Sequence, residues 1–204
     1  MASAEARAKL ARAASALNVS APQLPALILM TDAKRLPDPI AAACALPKGS
    51  AIVVRHVRAS ARAELAAALA PIARDRGLRL LVANDAALAD RLGADGLHLS
   101  EAHAREAAHW RARRPHWLVT AAAHSANAVA TAAAADAHAV LLSPVFATKS
   151  QPGREPLGPL TVRAIAQTAG VAVYALGGID CDNVAQLAGA RLAGIAAIGA
   201  LTPD

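Results

Sequence analysis

Val171-Ala-Val-Tyr-Ala-Leu-Gly-Gly-Ile-Asp-Cys-Asp-Asn183 decides how the rest of the chain is read. An apolar run of strand character ends in Gly177 and Gly178, and helix-starting residues follow at once. Side chains vanish where a strand ends and a helix is about to begin. Backbone N–H groups are then exposed near a positive helix N-terminus, which suits an anion such as phosphate. Ala193-Gly-Ile-Ala-Ala-Ile-Gly-Ala-Leu201 repeats the pattern, a buried strand closed by Gly199. Two adjacent strand ends of this kind match the phosphate site after the last strands of a (β/α)8 barrel. The plainer alternative is that the glycines only permit tight turns.

Outward from this stretch, strand and helix alternate along the chain. Apolar runs predict strands at Ala26–Met30, Ala51–His56, Leu78–Ala83, Gly96–Leu99, Trp117–Ala121, Ala139–Ser143, Val171–Leu176 and Gly194–Ile198. Helical patterns fill the intervals: Pro37–Ala45, Ala61–Arg74, Asp85–Leu92, Glu101–Arg113, Ser125–Ala135, Leu160–Ala169 and Asp182–Leu187. A further helix over residues 4–17, with Leu10, Ala14 and Leu17 on one face, makes residues 1–22 an N-terminal extension to a barrel domain over residues 23–204. The strands are near-continuous apolar runs, as parallel strands covered on both faces require. Alternation alone also allows an open doubly wound sheet, but the first strand carries no G-x-G-x-x-G turn. Eight strands and the paired glycine ends favour closure, so the expected fold is an α/β (β/α)8 TIM barrel.

Composition narrows the function classes. The chain has 204 residues, 55% of them hydrophobic, with one Phe, one Tyr and two Trp. That fits a single domain whose core is built from Ala, Leu, Val and Ile. The net charge of +6 comes mostly from scattered arginines, and aromatic groups able to stack on bases are scarce, which argues against nucleic acid. No apolar stretch is long enough to span a membrane. Cys44 and Cys181 have neither disulfide-framework nor metal-ligand spacing, so a reducing cytoplasm is the simplest setting.

In a barrel the chemistry lies at the C-terminal strand ends. Those ends carry Thr31 and Asp32, Arg55 and His56, Asn84 and Asp85, His98 and Ser100, His124 and Ser125, then Ser143, Thr148 and Lys149. Several have a structural reading beside the functional one. Asp32, Asp85 and Ser125 are all good helix N-caps, and His98 reads equally as a hydrogen-bonded core histidine. Arg55 is harder to dismiss, because an arginine closing a buried strand needs an anion or a carboxylate.

Taken in order, Asn84-Asp85, Gly93-Ala-Asp-Gly-Leu-His-Leu99, Ala123-His-Ser125, Ser143-Pro-Val-Phe-Ala-Thr148, Ala175-Leu-Gly-Gly-Ile179 and Gly194-Ile-Ala-Ala-Ile198 resemble the thiamine-phosphate synthase and TenI family from about Leu27 to Leu201. The resemblance implies a TIM barrel acting on a thiazole phosphate in thiamine biosynthesis. It implies one of two reactions: a magnesium-dependent synthase that joins a pyrimidine pyrophosphate to the thiazole phosphate and releases pyrophosphate, or a metal-free tautomerase that shifts a proton on a thiazole carboxylate phosphate. It also implies a backbone phosphate cradle at Gly177, Gly178, Ile198 and Gly199, and a possible homo-oligomer.

Residue matching divides the two reactions in part. Asn84 and Asp85 match the pyrophosphate and magnesium position, but the second magnesium carboxylate is replaced by His103, and Glu101 reaches that place only if the loop shifts. Of the synthase Gln-x-Arg-x-Lys ending strand two only Arg55 remains; of Thr-x-Thr-Lys, Thr148 and a hydroxyl at Ser150 remain, with Gln151 for the lysine and Lys149 as a substitute. Losing these charges weakens support for a departing pyrophosphate. His124 matches the tautomerase acid/base, and imidazole suits that role. The leading expectation is therefore a TenI-like tautomerase, with His124, Arg55 and Asp85 in catalysis and Asn84, Ser125, Thr148 and Lys149 beside the cradle. The alternative is a divergent synthase with Asp85 on magnesium, and a third reading is an eroded site that still binds a phosphorylated thiamine precursor.

Overall fold

Eight short parallel strands close into a barrel in the computed structural model, which describes residues 2–55, 58–148 and 153–203. They are β1 (Leu27–Met30), β2 (Ala51–Val54), β3 (Arg79–Ala83), β4 (Gly96–Leu99), β5 (Leu118–Ala123), β6 (Ala139–Leu142), β7 (Ala172–Leu176) and β8 (Gly194–Ala197). Each pairs with its sequence neighbour, and β8 returns to β1 with Ile28 beside Ala196. The strand residues are almost all buried, which explains why they read as apolar runs rather than alternating ones.

The connecting α-helices are α2 (Pro39–Cys44), α3 (Ala59–Arg76), α4 (Ala86–Leu92), α5 (Ala107–Arg113), α6 (Ala126–Ala134) and α7 (Gly158–Thr168). Their buried faces are mostly alanine, as on α3 with Ala66, Ala70 and Ala73 around Leu69, so the helices meet the barrel through small side chains. No helix among the described residues is long and apolar enough to cross a membrane.

The first helix, α1 (Ala4–Leu17), has Ser3 as its N-cap and buries Leu10, Ala14 and Leu17, the face expected from the sequence. These three belong to the same hydrophobic core as the barrel strands. Behind α1, Asn18 Nδ2 donates to Leu24 O (3.0 Å) and to Ala193 O (2.6 Å), and Ala2 N donates to Thr202 O at 3.0 Å. The helix thus lies over β8 and β1, the strands that close the barrel.

Two expected helices differ. The helix over Glu101–Arg113 divides into a 3-10 turn, Glu101–Glu106, and α5. The helix over Asp182–Leu187 shrinks to one 3-10 turn, Val184–Leu187. There Asp180 Oδ1 accepts from Asp182 N and Asn183 N, Asn183 Oδ1 accepts from Asp180 N, and Asn183 Nδ2 donates to Gly178 O. Short polar side chains have taken over backbone groups a helix would have used. The helix N-terminus expected behind Gly177-Gly178 is therefore replaced by a side-chain-stapled loop, and its dipole with it.

Candidate active site

A cavity of about 690 Å³ opens at the C-terminal ends of the strands. Met30, Ala83, His98 and Ala122 contribute to its wall from within the barrel, and Arg35, Arg55, Asn84, Glu101, His124, Thr148 and the strand-end glycines line it above them. Strand order arranges these groups in three arcs. The glycines of β7 and β8 adjoin the arginines after β1 and β2 across the closing seam, and Asn84, Glu101 and His124 follow β3, β4 and β5.

At the glycine arc, Gly177 (φ +98°) and Gly178 (φ +68°) adopt backbone that other residues rarely take. A Cβ at Gly177 would lie 2.9 Å from Pro144 Cα, and one at Gly178 would lie 2.5 Å from Ala147 O. The segment after β6 is fastened onto this strand end, with Val145 N donating to Leu176 O and Phe146 N to Gly177 O, each at 3.0 Å. Both readings of the pair therefore have a physical basis: the turn and the close approach require glycine, and the same residues line the cavity. Gly199 is different. A Cβ there would meet nothing within 4 Å. Among the described residues, no protein acceptor takes the N–H of Gly178 or Gly199.

At the arginine arc, one carboxylate organises two guanidinium groups. Asp32 Oδ2 accepts from Arg35 Nη2 at 2.7 Å and from Arg55 Nη2 at 3.1 Å, and its Oδ1 accepts from the backbone of Lys34 and Arg35. The Arg35 hydrogen bond, against the opposing effect of burial, holds Asp32 at a pKa of about 2. Asp32 is the carboxylate that the Arg55 position called for. Arg55 N also donates to Thr31 Oγ1 at 2.8 Å, fixing the residue at the end of β2. Two guanidinium groups against one carboxylate leave this arc net positive, and the Arg55 side chain is about half exposed at 46%.

On the remaining arc, His98 is buried and its Nδ1 lies 2.9 Å from Thr120 Oγ1. Burial, helped by the charge of Arg55, lowers its pKa to about 4, so the ring is neutral at physiological pH. His98 is thus a hydrogen-bonded core histidine that also meets the cavity. His124 Nδ1 lies 2.7 Å from Glu101 Oε2. Asn84 accepts the Ser100 N–H through Oδ1 at 2.8 Å, and Ser100 Oγ lies 2.7 Å from His103 Nδ1. The Glu101–His124 contact was not legible in the chain; its one sequence signal is a carboxylate at the end of the strand next to that of His124.

Asp85 and Ser125 stand apart from these groups. Asp85 Oδ1 caps α4 by accepting from Leu88 N at 3.0 Å, its Oδ2 accepts from Arg62 Nη2 at 3.0 Å, and the residue is not among those lining the cavity. Burial pushes its pKa up, but Arg62 and the Leu88 N–H outweigh it and hold the carboxyl below its ordinary value. Ser125 caps α6 through Ala128 N at 3.2 Å and likewise does not line the cavity. Both take the capping role. His56, Lys149, Ser150 and Gln151 lie outside the described residues.

Magnesium requires oxygen ligands, usually one or two carboxylates with substrate phosphates. The carboxylate expected to hold it, Asp85, has both oxygens engaged away from the cavity, and Glu101 is turned to His124. Among the described residues no three His, Cys, Asp or Glu side chains gather around one point. The donor set does not fit magnesium as the resemblance implied it.

A family model described as thiamine monophosphate synthase matches residues 27–201. The chain belongs to this family. Among similar family members, the thiamine-phosphate synthase of Methanoculleus marisnigri is 35% identical over 159 residues, covering 75% of this chain and 74% of the relative. The synthase of Chlorobium luteolum is 29% identical over 187 residues, covering 90% and 88%. The bifunctional thiamine biosynthesis protein ThiM/ThiE of Symbiobacterium thermophilum is 34% identical over 147 residues, 71% of this chain. The alignment spans only 31% of that longer relative, and 48% of a putative thiamine-phosphate synthase 2 of Aquifex aeolicus. Thiamine phosphate pyrophosphorylase from Pyrococcus furiosus shares the fold, with a TM-score of 0.66 at 21% identity over 84% of each chain. These names favour the synthase over the tautomerase that led the sequence reading.

Proposed function

We propose that this chain is a synthase of the thiamine-phosphate class, joining a pyrimidine pyrophosphate to a thiazole phosphate and releasing pyrophosphate. The observation that carries the reading is the pairing, in one cavity, of strand-end amides at Gly178 and Gly199 that no described protein acceptor takes with Arg35 and Arg55, which Asp32 holds together. A reaction with two phosphorylated substrates needs two anion positions. The amides suit a phosphate monoester. The guanidinium groups suit a diphosphate, since their forked N–H geometry matches phosphate oxygens and their charge meets the negative charge that builds as the C–O bond breaks. The pair of electrons leaves with pyrophosphate, and the thiazole nitrogen lone pair forms the new C–N bond. The names of the relatives support this direction. Cys44 and Cys181 are free thiols, in keeping with a cytoplasmic setting.

One observation favours the tautomerase as a second reading: the His124–Glu101 pair is the arrangement a proton shuttle uses. Purified protein given both synthase substrates, with and without magnesium, is expected to release pyrophosphate and form thiamine phosphate. No pyrophosphate, together with an ultraviolet change on adding thiazole carboxylate phosphate that disappears in His124→Ala, selects the tautomerase instead. Arg55→Ala is expected to cut synthase turnover by roughly 100-fold or more, since it removes a charge aimed at the leaving group.

A further inference from the structure

Of the carboxylates that line the cavity, Asp180 is occupied by its own turn, accepting from Asp182 N and Asn183 N. Glu101 is not used that way. Its Oε2 lies 2.7 Å from His124 Nδ1, a distance typical of a charge-assisted hydrogen bond. An ionised carboxylate accepts only, so the proton in this contact belongs to Nδ1. A neutral ring with its proton on Nδ1 carries its lone pair on Nε2.

We propose that Glu101 is a positioning residue that fixes His124 in the Nδ1-protonated tautomer, so that the lone pair of the neutral ring lies on Nε2. The carboxylate is held for the task. The residue before it, Ser100, is fixed through its N–H to Asn84 Oδ1 (2.8 Å), and its Oγ meets His103 Nδ1 (2.7 Å) as His103 N closes onto Ser100 O (3.0 Å). Asn84, Glu101 and His124 follow three successive strands, so hydrogen bonds tie the ends of β3, β4 and β5 into one frame. The His103 that stands where a magnesium carboxylate was expected helps shape the turn that presents Glu101. The inference rests on the cavity being the ligand site and holds for either reaction, since in each the tautomer decides which ring nitrogen of His124 can accept a proton.

The test reads the tautomer directly. In long-range proton–nitrogen spectra of nitrogen-15-labelled full chain, with the ring assigned by its loss in His124→Gln, the neutral form of His124 is expected to show the Nδ1-protonated pattern. Glu101→Ala should convert it to the Nε2-protonated form that free imidazole prefers, whereas Glu101→Gln, whose amide oxygen still accepts, should retain the Nδ1 proton. Glu101 is 44% exposed, so these substitutions leave the core intact, and the unchanged His98 signal serves as the folding control. An Nε2-protonated wild-type ring, or a tautomer indifferent to Glu101→Ala, overturns the proposal. A normal Nδ1 pattern in protein that turns over neither set of substrates supports the proposal while overturning the proposed function, so the two failures are told apart.

Discussion

Gly178 and Gly199 look alike in the chain and differ in what surrounds them. An alanine at 178 would sit at φ +68° with its Cβ 2.5 Å from a backbone oxygen, whereas one at 199 enters open space. Gly178→Ala is expected to destabilise the fold by roughly 2 kcal/mol or more, from an unfavourable left-handed backbone and a clash with main chain. Gly199→Ser should stay within about 0.5 kcal/mol of wild type in urea unfolding. His98 yields a pH prediction. Its ordinary value of 6.5 is lowered to about 4, so between those pH values the unfolded chain binds a proton that the folded chain does not. Stability is then fully present above about pH 6.5 and declines as pH falls toward 4, by on the order of 3 kcal/mol if no other group intervened. Denaturation midpoints of His98→Asn, compared with wild type at neutral and acidic pH, should lose most of that difference. Which residue types collect at the strand ends was readable from the chain. That Asp32 rather than a ligand partners Arg55, and that Glu101 reaches His124, depended on side-chain directions no spacing rule supplies.

At the scale of elements, the eight strands were legible because each is a mostly apolar run, nearly all of it buried. The two altered helices were not, because at the start of each the polar side chains are engaged in ways a regular helix start does not use. Asp180 and Asn183 take backbone N–H groups at one start, and at the other Ser100 turns its hydroxyl to the His103 ring and caps no helical N–H. Capping was the opposite case, since Asp85 and Ser125 were recognisable as caps yet also fitted the resemblance as site residues. The capping geometry separates the two roles in a measurable way. Asp85→Ala is expected to cost about 1–2 kcal/mol of stability through the lost cap and the Arg62 partner, and to leave turnover within a few-fold of wild type. Loss of all pyrophosphate release in a folded Asp85→Ala protein would return this carboxylate to the chemistry.

For the molecule as a whole, the element that follows β8 among the described residues is a 3-10 turn, Gly199–Leu201, and α1 covers the seam. Leu10 is fully buried there. Leu10→Ala is expected to destabilise the whole barrel by roughly 2–5 kcal/mol, read as a single cooperative shift in urea unfolding. The seam beneath α1 has a second consequence. It runs between the strands bearing Gly178 and Gly199 and those bearing Asp32 and Arg55, so the helix braces from outside the interval between the glycine and arginine ends of the cavity. Residues of α1 that line no part of the cavity would then act, in the proposed reaction, as a gauge on how far apart the two phosphorylated substrates are held.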